Sequence, residues 1–125
     1  MLENILLNQI KTAFEKNLDK VVFKNTFKIK LFLNVLKAEG FILGYTLKDD
    51  HLIALLKYNN SIPAIQNIKT FSKISTPYYV KSKKIIEMIK RNKNSIFLVR
   101  TSKGLLSNKD ILTYKIGGIL IARLR

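Results

Sequence analysis

Apolar side chains spaced three and four residues apart predict an amphipathic helix over residues 2–17. This spacing places the apolar side chains on one helix face, where they can be buried together. A second helix is predicted to begin after Asn25 or Thr26, either of which can cap its first turn, and to run to about Glu39. Gly40 is expected to end it, because glycine adopts the left-handed conformation without a steric clash. The apolar face of this second helix consists of Ile29, Phe32, Leu33 and Leu36.

Shorter apolar runs predict three β-strands in the first half of the chain. The first run, residues 21–23, is β-branched and aromatic. Two longer runs, residues 41–48 and 52–58, are separated by the polar sequence Asp-Asp-His at 49–51, which predicts a β-hairpin. The predicted order of elements in this half is therefore α-β-α-β-β.

A polar, turn-rich segment at residues 59–63 separates the two halves, so we expect two lobes, residues 1–62 and 63–125. Strands and short helices both occur in the pattern of the second lobe. The predicted elements of this lobe are a strand over residues 65–72 with Lys69 facing outward, a strand over 78–81, a helix over 83–91 with Ile85, Ile86 and Ile89 facing inward, a strand over 96–99, a short helix over 107–112 capped by Ser107 and a strand over 119–124.

The chain of 125 residues has a formal net charge of +15, which its two halves share unequally. Residues 1–62 contain nine lysines and six acidic residues, which leaves a net charge of +3. Residues 63–125 contain ten lysines, four arginines and two acidic residues, which leaves +12. A compact chain with so many like charges repels itself unless a polyanion neutralises them. We therefore expect the second half to bind nucleic acid, with an anionic membrane as the second candidate.

Composition excludes several classes of protein. Hydrophobic residues make up 47% of the chain, which is too much for a disordered tail. No apolar stretch approaches the ~18 residues that a membrane-spanning helix needs. The chain has no cysteine and one histidine, which excludes disulfides, thiolate metal sites and cysteine nucleophiles.

Side chains suited to catalysis lack the partners that catalysis requires. The carboxylates of Asp49 and Asp50 are expected to be solvated turn residues. Ser102 beside Lys103 is the pairing of a Ser–Lys hydrolase, but the sequence offers no matching oxyanion element. The two glycines at 117–118 lack the spacing of a phosphate-binding loop, and we expect them instead to let the final strand approach residues 101–104 closely. The absence of a complete set of catalytic groups is evidence against an enzyme.

The basic half contains the residue types that RNA binding uses. Lys81, Lys83 and Lys84 can contact phosphates, as can Arg100, and such contacts give affinity without sequence information. Tyr79, one of two adjacent tyrosines, offers a ring for stacking on an unpaired base or a sugar. These five residues are candidate RNA-binding residues.

A predicted loop at residues 101–104 adds groups that can approach a nucleic acid closely. Thr101 and Ser102 are compact donors and acceptors that can reach base edges and 2′-hydroxyl groups. Gly104 lets the loop come close to a backbone, and Lys103 completes the candidate site. Together with the charge of this half, these residues favour RNA as the partner.

Three other functions are open at this point. A DNA-binding module needs a recognition helix with exposed polar side chains, but three isoleucines occupy the predicted helix 83–91. A peripheral membrane protein needs an amphipathic helix with a basic face, whereas helix 2–17 has two lysines against two glutamates. The third alternative is a hydrolase that uses Ser102.

Motifs spread along the chain point to one family. The sequence Phe-Leu-Val-Arg-Thr-Ser-Lys-Gly at 97–104 precedes Lys-Ile-Gly-Gly at 115–118, and Ala-Glu-Gly-Phe-Ile-Leu-Gly-Tyr occupies 38–45. These motifs resemble the Ser-Thr-Ser-Lys-Gly loop, the Gly-Gly-Glu and the Glu-Gly-Phe-Ile of the eighth small-subunit ribosomal protein of bacterial type. Residues 71–80 are similar to that family's Ile-Ser-Lys-Pro-Gly segment and the aromatic strand that follows it.

The resemblance implies an α+β fold class with two α/β lobes, of which the C-terminal lobe is mainly antiparallel β with one or two short helices. It also implies a structural role in the small ribosomal subunit. Members of this family are expected to bind the central domain of small-subunit ribosomal RNA and to support assembly and translation. The expected partners are that RNA and neighbouring small-subunit ribosomal proteins, with no membrane, no cofactor and no homo-oligomer.

The sequence departs from the family pattern at three places. The glutamate after the double glycine, which is expected to support the RNA-binding loop, is Ile119 here. Arg100 replaces the first serine of the loop and can offset that loss with a phosphate contact. The turn near residue 75 is also rewritten, with Pro77 displaced.

Composition also suggests where the protein works. Lys, Ile and Asn have A/T-rich codons, and the first 16 residues show no targeting signal. We therefore expect a gene carried in an organelle and a mitochondrial ribosome, with a plastid or bacterial cytoplasmic ribosome as the alternative.

Overall fold

The structure, a computed structural model, describes residues 2–72 and 76–125. The helices are α1 (Leu2–Glu15), α2 (Phe27–Ala38), α3 (Ser82–Arg91) and α4 (Asn108–Tyr114). The strands are β1 (Lys20–Lys24), β2 (Ile42–Lys48), β3 (His51–Leu56), β4 (Tyr58–Asn59), β5 (Ile62–Pro63), β6 (Ile68–Thr70), β7 (Tyr79–Val80), β8 (Ile96–Thr101), β9 (Gly104–Leu106) and β10 (Gly118–Leu124). The chain divides into two compact units, Ile5–Gln66 and Asn67–Arg125, and the second also includes the first residues of α1.

The N-terminal unit contains a three-stranded antiparallel sheet in the order β1-β3-β2. The predicted hairpin is confirmed, with His51 directly opposite Lys48. Asp49 and Asp50 form its turn with φ angles of 51° and 60°. Two residues with positive φ are what a two-residue hairpin turn requires, and aspartate tolerates that conformation.

Helix α2 follows the predicted pattern closely. Thr26 caps the helix, because its Oγ1 accepts the hydrogen bond of the Ile29 N–H at 3.3 Å. Gly40 has a φ of 78°, the left-handed conformation that ends the helix. The four predicted apolar residues of α2 are all buried. This part of the fold is confirmed because caps and apolar spacing are local signals.

The segment at 59–63, expected only to be a polar turn, contains a short hairpin of its own. Tyr58 pairs with Pro63, and Asn59 pairs with Ile62. Residues 60 and 61 adopt positive φ angles of 52° and 68°. The hairpin has two residues in each strand, too few to show an alternating apolar pattern.

The C-terminal unit contains an antiparallel sheet in the order β6-β10-β8-β9, and β7 pairs with the beginning of β10. Its buried core joins α3 and α4 to one face of this sheet. That core consists of Val80, Ile85, Ile89, Phe97, Val99, Leu106, Ile111 and Leu120. The predicted α+β class and the mainly antiparallel C-terminal half are therefore confirmed.

Several predicted details of this unit are wrong. Ile86 is half-buried rather than inward, since the helix turns it away from Ile85 and Ile89. The strand predicted over 65–72 is limited to β6. After it, the Phe71 N–H still donates to the Ile121 carbonyl, and Ser72 reaches the Leu120 carbonyl with its side-chain hydroxyl. Lys69 is exposed, as predicted. The rewritten turn near residue 75 lies outside the described residues.

The region after α3 also differs from the prediction. Strand β8 extends to Thr101, and β9, which the sequence pattern did not predict, pairs with it as a hairpin. Helix α4 has Ser107 at its N-cap position and Asp110 in its first turn, as predicted. Within the described ranges, no helix is both long and apolar enough to cross a bilayer.

Candidate RNA interface

The two glycines before β10 lie against the start of α3 and the end of β8. A Cβ atom on Gly117 would be 2.7 Å from the backbone nitrogen of Ser82, the first residue of α3. A Cβ atom on Gly118 would overlap the carbonyl oxygen of Arg100. The expected approach to residues 101–104 is therefore confirmed for Gly118, whereas Gly117 packs against α3. The double glycine brings these two segments to the same end of the sheet.

The candidate loop closes the β8–β9 hairpin. The hydroxyl of Thr101 donates a hydrogen bond to the Gly104 carbonyl at 2.9 Å and accepts one from the Lys103 N–H at 3.1 Å. Gly104 has a φ of 99°, which favours glycine, and a Cβ there would meet open space. Ser102 is exposed at the turn. Thr101 thus holds the loop in shape, and Ser102 presents its hydroxyl to the outside.

Arg100, immediately before the loop, forms an ion pair with Glu3 of α1. The Glu3 side chain is 11% exposed and that of Arg100 is 42% exposed. A carboxylate this buried needs a cationic partner, because desolvation of an unpaired charge is costly. The pair fixes the base of the hairpin and leaves the Arg100 side chain partly exposed.

Three candidate lysines surround the N-terminus of α3. Lys81 is the N-cap residue and makes no side-chain cap hydrogen bond, while Lys83 and Lys84 lie in the first turn. All three are exposed, and this turn contains no acidic residue. The Lys84 Nζ is 3.1 Å from the hydroxyl of Tyr78, which accepts its hydrogen bond. Cations at the positive end of a helix dipole are unfavourable unless an anion binds there.

Tyr79 lies on the same face of the sheet as Arg100. Ile119 of β10 is directly opposite Tyr79 on one side and Arg100 on the other, and Arg100 is opposite Leu105. Directly opposed residues in antiparallel strands point to one face. Tyr79 is 73% exposed, so this face offers an exposed aromatic side chain that is separated from Arg100 by Ile119.

Two residues of this region escaped prediction from the sequence. Glu3 is 97 positions from Arg100, and no local pattern signals the pair. Tyr114 lies under Lys103, whose Nζ is 4.7 Å from the ring centroid. This cation–π contact orients the loop lysine, and only the fold brings α4 beside the loop.

Comparison with known protein families identifies the family of the chain. The family model for ribosomal protein S8 matches residues 2–124, which is nearly the whole chain. The chain belongs to the ribosomal protein S8 family. The predicted family is thus confirmed.

The relatives of this chain are small ribosomal subunit proteins with the names uS8m, uS8c and uS8. The small ribosomal subunit protein uS8m of Acanthamoeba castellanii is 30% identical over 114 residues, covering 90% of each chain. The protein uS8c of Bigelowiella natans is 34% identical over 125 residues, covering 93% of this chain and 92% of its own. The protein uS8 of Geobacter sulfurreducens is 36% identical over 119 residues, covering 90% and 88%. Mitochondrial, chloroplast and bacterial members match the predicted localisation and its alternatives.

Ribosomal protein S8 is a structural component of the small ribosomal subunit and has no enzymatic activity. The prediction that this chain is not an enzyme is therefore confirmed, and the hydrolase hypothesis for Ser102 is set aside. Among the described residues, no three His, Asp or Glu side chains come together as a group that could hold a metal ion.

Proposed function

We propose that the chain binds the central domain of small-subunit ribosomal RNA through one end of its C-terminal sheet. This RNA-binding end consists of residues 100–104, Tyr79 and the lysine cluster of Lys81, Lys83 and Lys84. Its role is to hold the folded RNA in shape while the small subunit assembles. Neighbouring small-subunit proteins are its other proposed partners, and the chain acts as a single copy.

The packing of the double glycine carries this proposal. Gly117 lies against the backbone of Lys81 and Ser82, where the lysine cluster begins, and Gly118 lies against Arg100 and Thr101, where β8 enters the loop. Cations, a tyrosine ring and a loop hydroxyl therefore share one end of the sheet. Cations neutralise phosphates, and an aromatic ring stacks on an unpaired base. Short hydrogen-bonding groups contact base edges or 2′-hydroxyls. No single helix or loop in the described part of the chain offers all three.

The residues at this end have different proposed roles. The lysine cluster and Arg100 neutralise phosphates, and Tyr79 stacks on a base or a sugar. Ser102 contacts a base edge or a 2′-hydroxyl group. Thr101 positions Ser102 through its two hydrogen bonds within the turn.

The proposed site of action is the mitochondrial ribosome. The support is the A/T-rich codon bias of the composition and the similarity to uS8m of Acanthamoeba castellanii. Localisation of the tagged protein by fractionation tests this assignment. Recovery in plastid or cytoplasmic ribosomes would overturn it.

Equilibrium binding to two RNAs tests the function. The full chain should bind a central-domain fragment of the small-subunit RNA at least roughly a thousandfold more tightly than a scrambled RNA of equal length and charge. Lys11→Ala, which removes an exposed lysine of α1, is the matched control and should leave this preference unchanged. Equal affinity for the two RNAs would contradict the proposal.

A further inference from the structure

A groove of about 440 Å³ lies between α1 and strand β1 in the N-terminal unit. Its walls include Thr12 of α1, Lys16 and Leu18 from the connection, and Lys20 and Val22 of β1. The side chains of Leu18 and Val22 are 46% and 54% exposed. Neighbouring aliphatic side chains that remain this exposed beside a groove suit contact with another molecule.

Strand β1 also has a free hydrogen-bonding edge. It is the outer strand in the order β1-β3-β2, and no strand in the described part of the chain pairs with its other side. The Leu56 N–H donates to the Asp19 carbonyl at 2.8 Å, so Asp19 faces β3. Hydrogen-bonding direction alternates along an antiparallel strand, so Lys20 and Val22 direct their N–H and C=O groups away from the sheet. The groove therefore borders a row of unpaired backbone groups.

We propose that an extended peptide segment of another protein pairs with this free edge as a fourth strand and carries an acidic side chain. The backbone groups of Lys20 and Val22 supply the hydrogen bonds of strand addition. Leu18 and Val22 cover apolar side chains of the segment. The charged side chains that line the groove are Lys16 and Lys20, both cationic, so an acidic side chain is complementary to them.

The lining of the groove favours a peptide over RNA or a second copy. Among the described residues, the groove is lined by aliphatic, amide, hydroxyl and lysine side chains and by no aromatic ring on which a base could stack. Antiparallel self-pairing of β1, with Lys20 and Lys24 at its two ends, would place the lysines of one copy opposite those of the other. Such like-charge pairs are destabilising.

Amide hydrogen exchange in the free chain and in the assembled small subunit tests the proposal. The amides of Lys20 and Val22 should exchange quickly in the free chain and at least roughly tenfold more slowly in the subunit. The amides of Val21 and Phe23, which face β3, should be protected in both states and serve as the internal control. Unchanged exchange at Lys20 and Val22 would overturn the proposal.

Photo-crosslinking in the assembled subunit then identifies the occupant. Benzoylphenylalanine in place of Val22 should crosslink to one segment of another protein, and this segment should contain an acidic residue. Leu43, 62% exposed on the opposite edge strand β2, is the matched position for the control probe. Crosslinking of Val22 to ribosomal RNA or to a second copy, no crosslink from Val22, or capture of the same segment equally from Leu43 would each overturn the proposal.

Discussion

Ser102 and Lys83 make different kinds of contact with RNA in the proposed interface, and their substitutions should separate specificity from affinity. Ser102→Ala removes an exposed hydroxyl from a rigid turn, whereas Lys83→Ala removes one solvent-exposed cation. Loss of one positioned hydrogen bond should cost about 0.5–1.5 kcal/mol of binding to the central-domain fragment, and more if its RNA partner stays unpaired. We expect Ser102→Ala to weaken binding to that fragment more than Lys83→Ala does.

Titration of both variants against the central-domain fragment and the scrambled RNA measures this difference. Lys83→Ala should weaken binding to both RNAs by a similar factor, because a phosphate contact carries no sequence information. If Ser102→Ala binds the central-domain fragment as tightly as the unsubstituted chain, the loop is only a turn.

Substitution of Gly118 should lower both the stability of the chain and its affinity for RNA. A Cβ atom there would overlap the Arg100 carbonyl oxygen, a backbone atom that cannot move without displacing β8. Gly118→Ala should lower the free energy of unfolding by about 1–3 kcal/mol, the usual cost of overpacking, and should weaken RNA binding. Urea unfolding followed by circular dichroism measures the first effect.

Gly44→Ala is the matched control for this substitution. Gly44 also lies in a strand, but its Cβ would be 4.0 Å from the Lys37 side chain, an ordinary contact. This variant should keep its stability and its RNA affinity. Equal stability of Gly118→Ala and Gly44→Ala would show that the close approach at Gly118 is unimportant.

Ile119 stands where the resembled pattern has a glutamate, and the structure shows how this chain differs there. Ile119 is directly opposite Arg100 in the β10–β8 pair. Arg100 nevertheless has a carboxylate partner, because Glu3 reaches it from α1. The polar contact at the base of the loop is therefore supplied by a different element of the chain.

Helix α3 presents its N-terminus to the proposed RNA at a cost to its own stability. Lys81→Asp should raise the free energy of unfolding by about 1 kcal/mol, because aspartate caps a helix and suits its positive end. The same substitution should lower RNA affinity, since it replaces a cation with an anion at the interface. Thermal unfolding and RNA titration of the same variant measure the two opposite effects.

Lys81→Ala separates the two effects of Lys81→Asp, the added helix cap and the lost positive charge. It removes the cation without adding a cap, so RNA affinity should fall while stability rises by less than it does in Lys81→Asp. An RNA affinity unaffected by Lys81→Asp would place the N-terminus of α3 outside the interface.

The elements that sequence patterns predicted are those with local signals. Helix α2 is marked by Thr26, its apolar face and Gly40, which are all within fifteen residues of one another. The β2–β3 hairpin is marked by its two aspartates. Strand β9 could not be predicted, because a run of three residues shows no clear alternation of apolar and polar side chains. Its pairing with β8 becomes evident only in the structure.

The candidate residues of the proposed interface can be identified one by one from the sequence. Which of them lie together depends on contacts between distant parts of the chain. The basic residues, the tyrosine and the loop were identified from their types and order in the sequence. The contact of Gly117 with α3 and the Glu3–Arg100 pair depend on where β10 and α1 lie, which no local pattern specifies. The structure shows which of the candidate groups lie at one end of the sheet.

At the scale of the whole molecule, the unequal charge predicts strong dependence of RNA binding on salt. Residues 63–125 carry a net charge of +12, against +3 for residues 1–62. Each neutralised phosphate should add roughly 0.7–0.9 to the slope of log affinity against log salt concentration. About six contacts should lower the affinity by about three decades between 50 and 200 mM salt. A flat titration of the full chain against the central-domain fragment would contradict this account.

The most direct test asks which nucleotides lie beside the loop in the assembled subunit. The chain has no cysteine, so Ser102→Cys provides a unique attachment point for an iron chelate that cleaves nearby RNA. The cysteine-free chain, treated with the same reagent, is the control. If the C-terminal sheet binds RNA as proposed, cleavage should cluster at a few nucleotides of the central domain of the small-subunit RNA. Absence of cleavage, or cleavage only in other domains, would contradict the proposed interface.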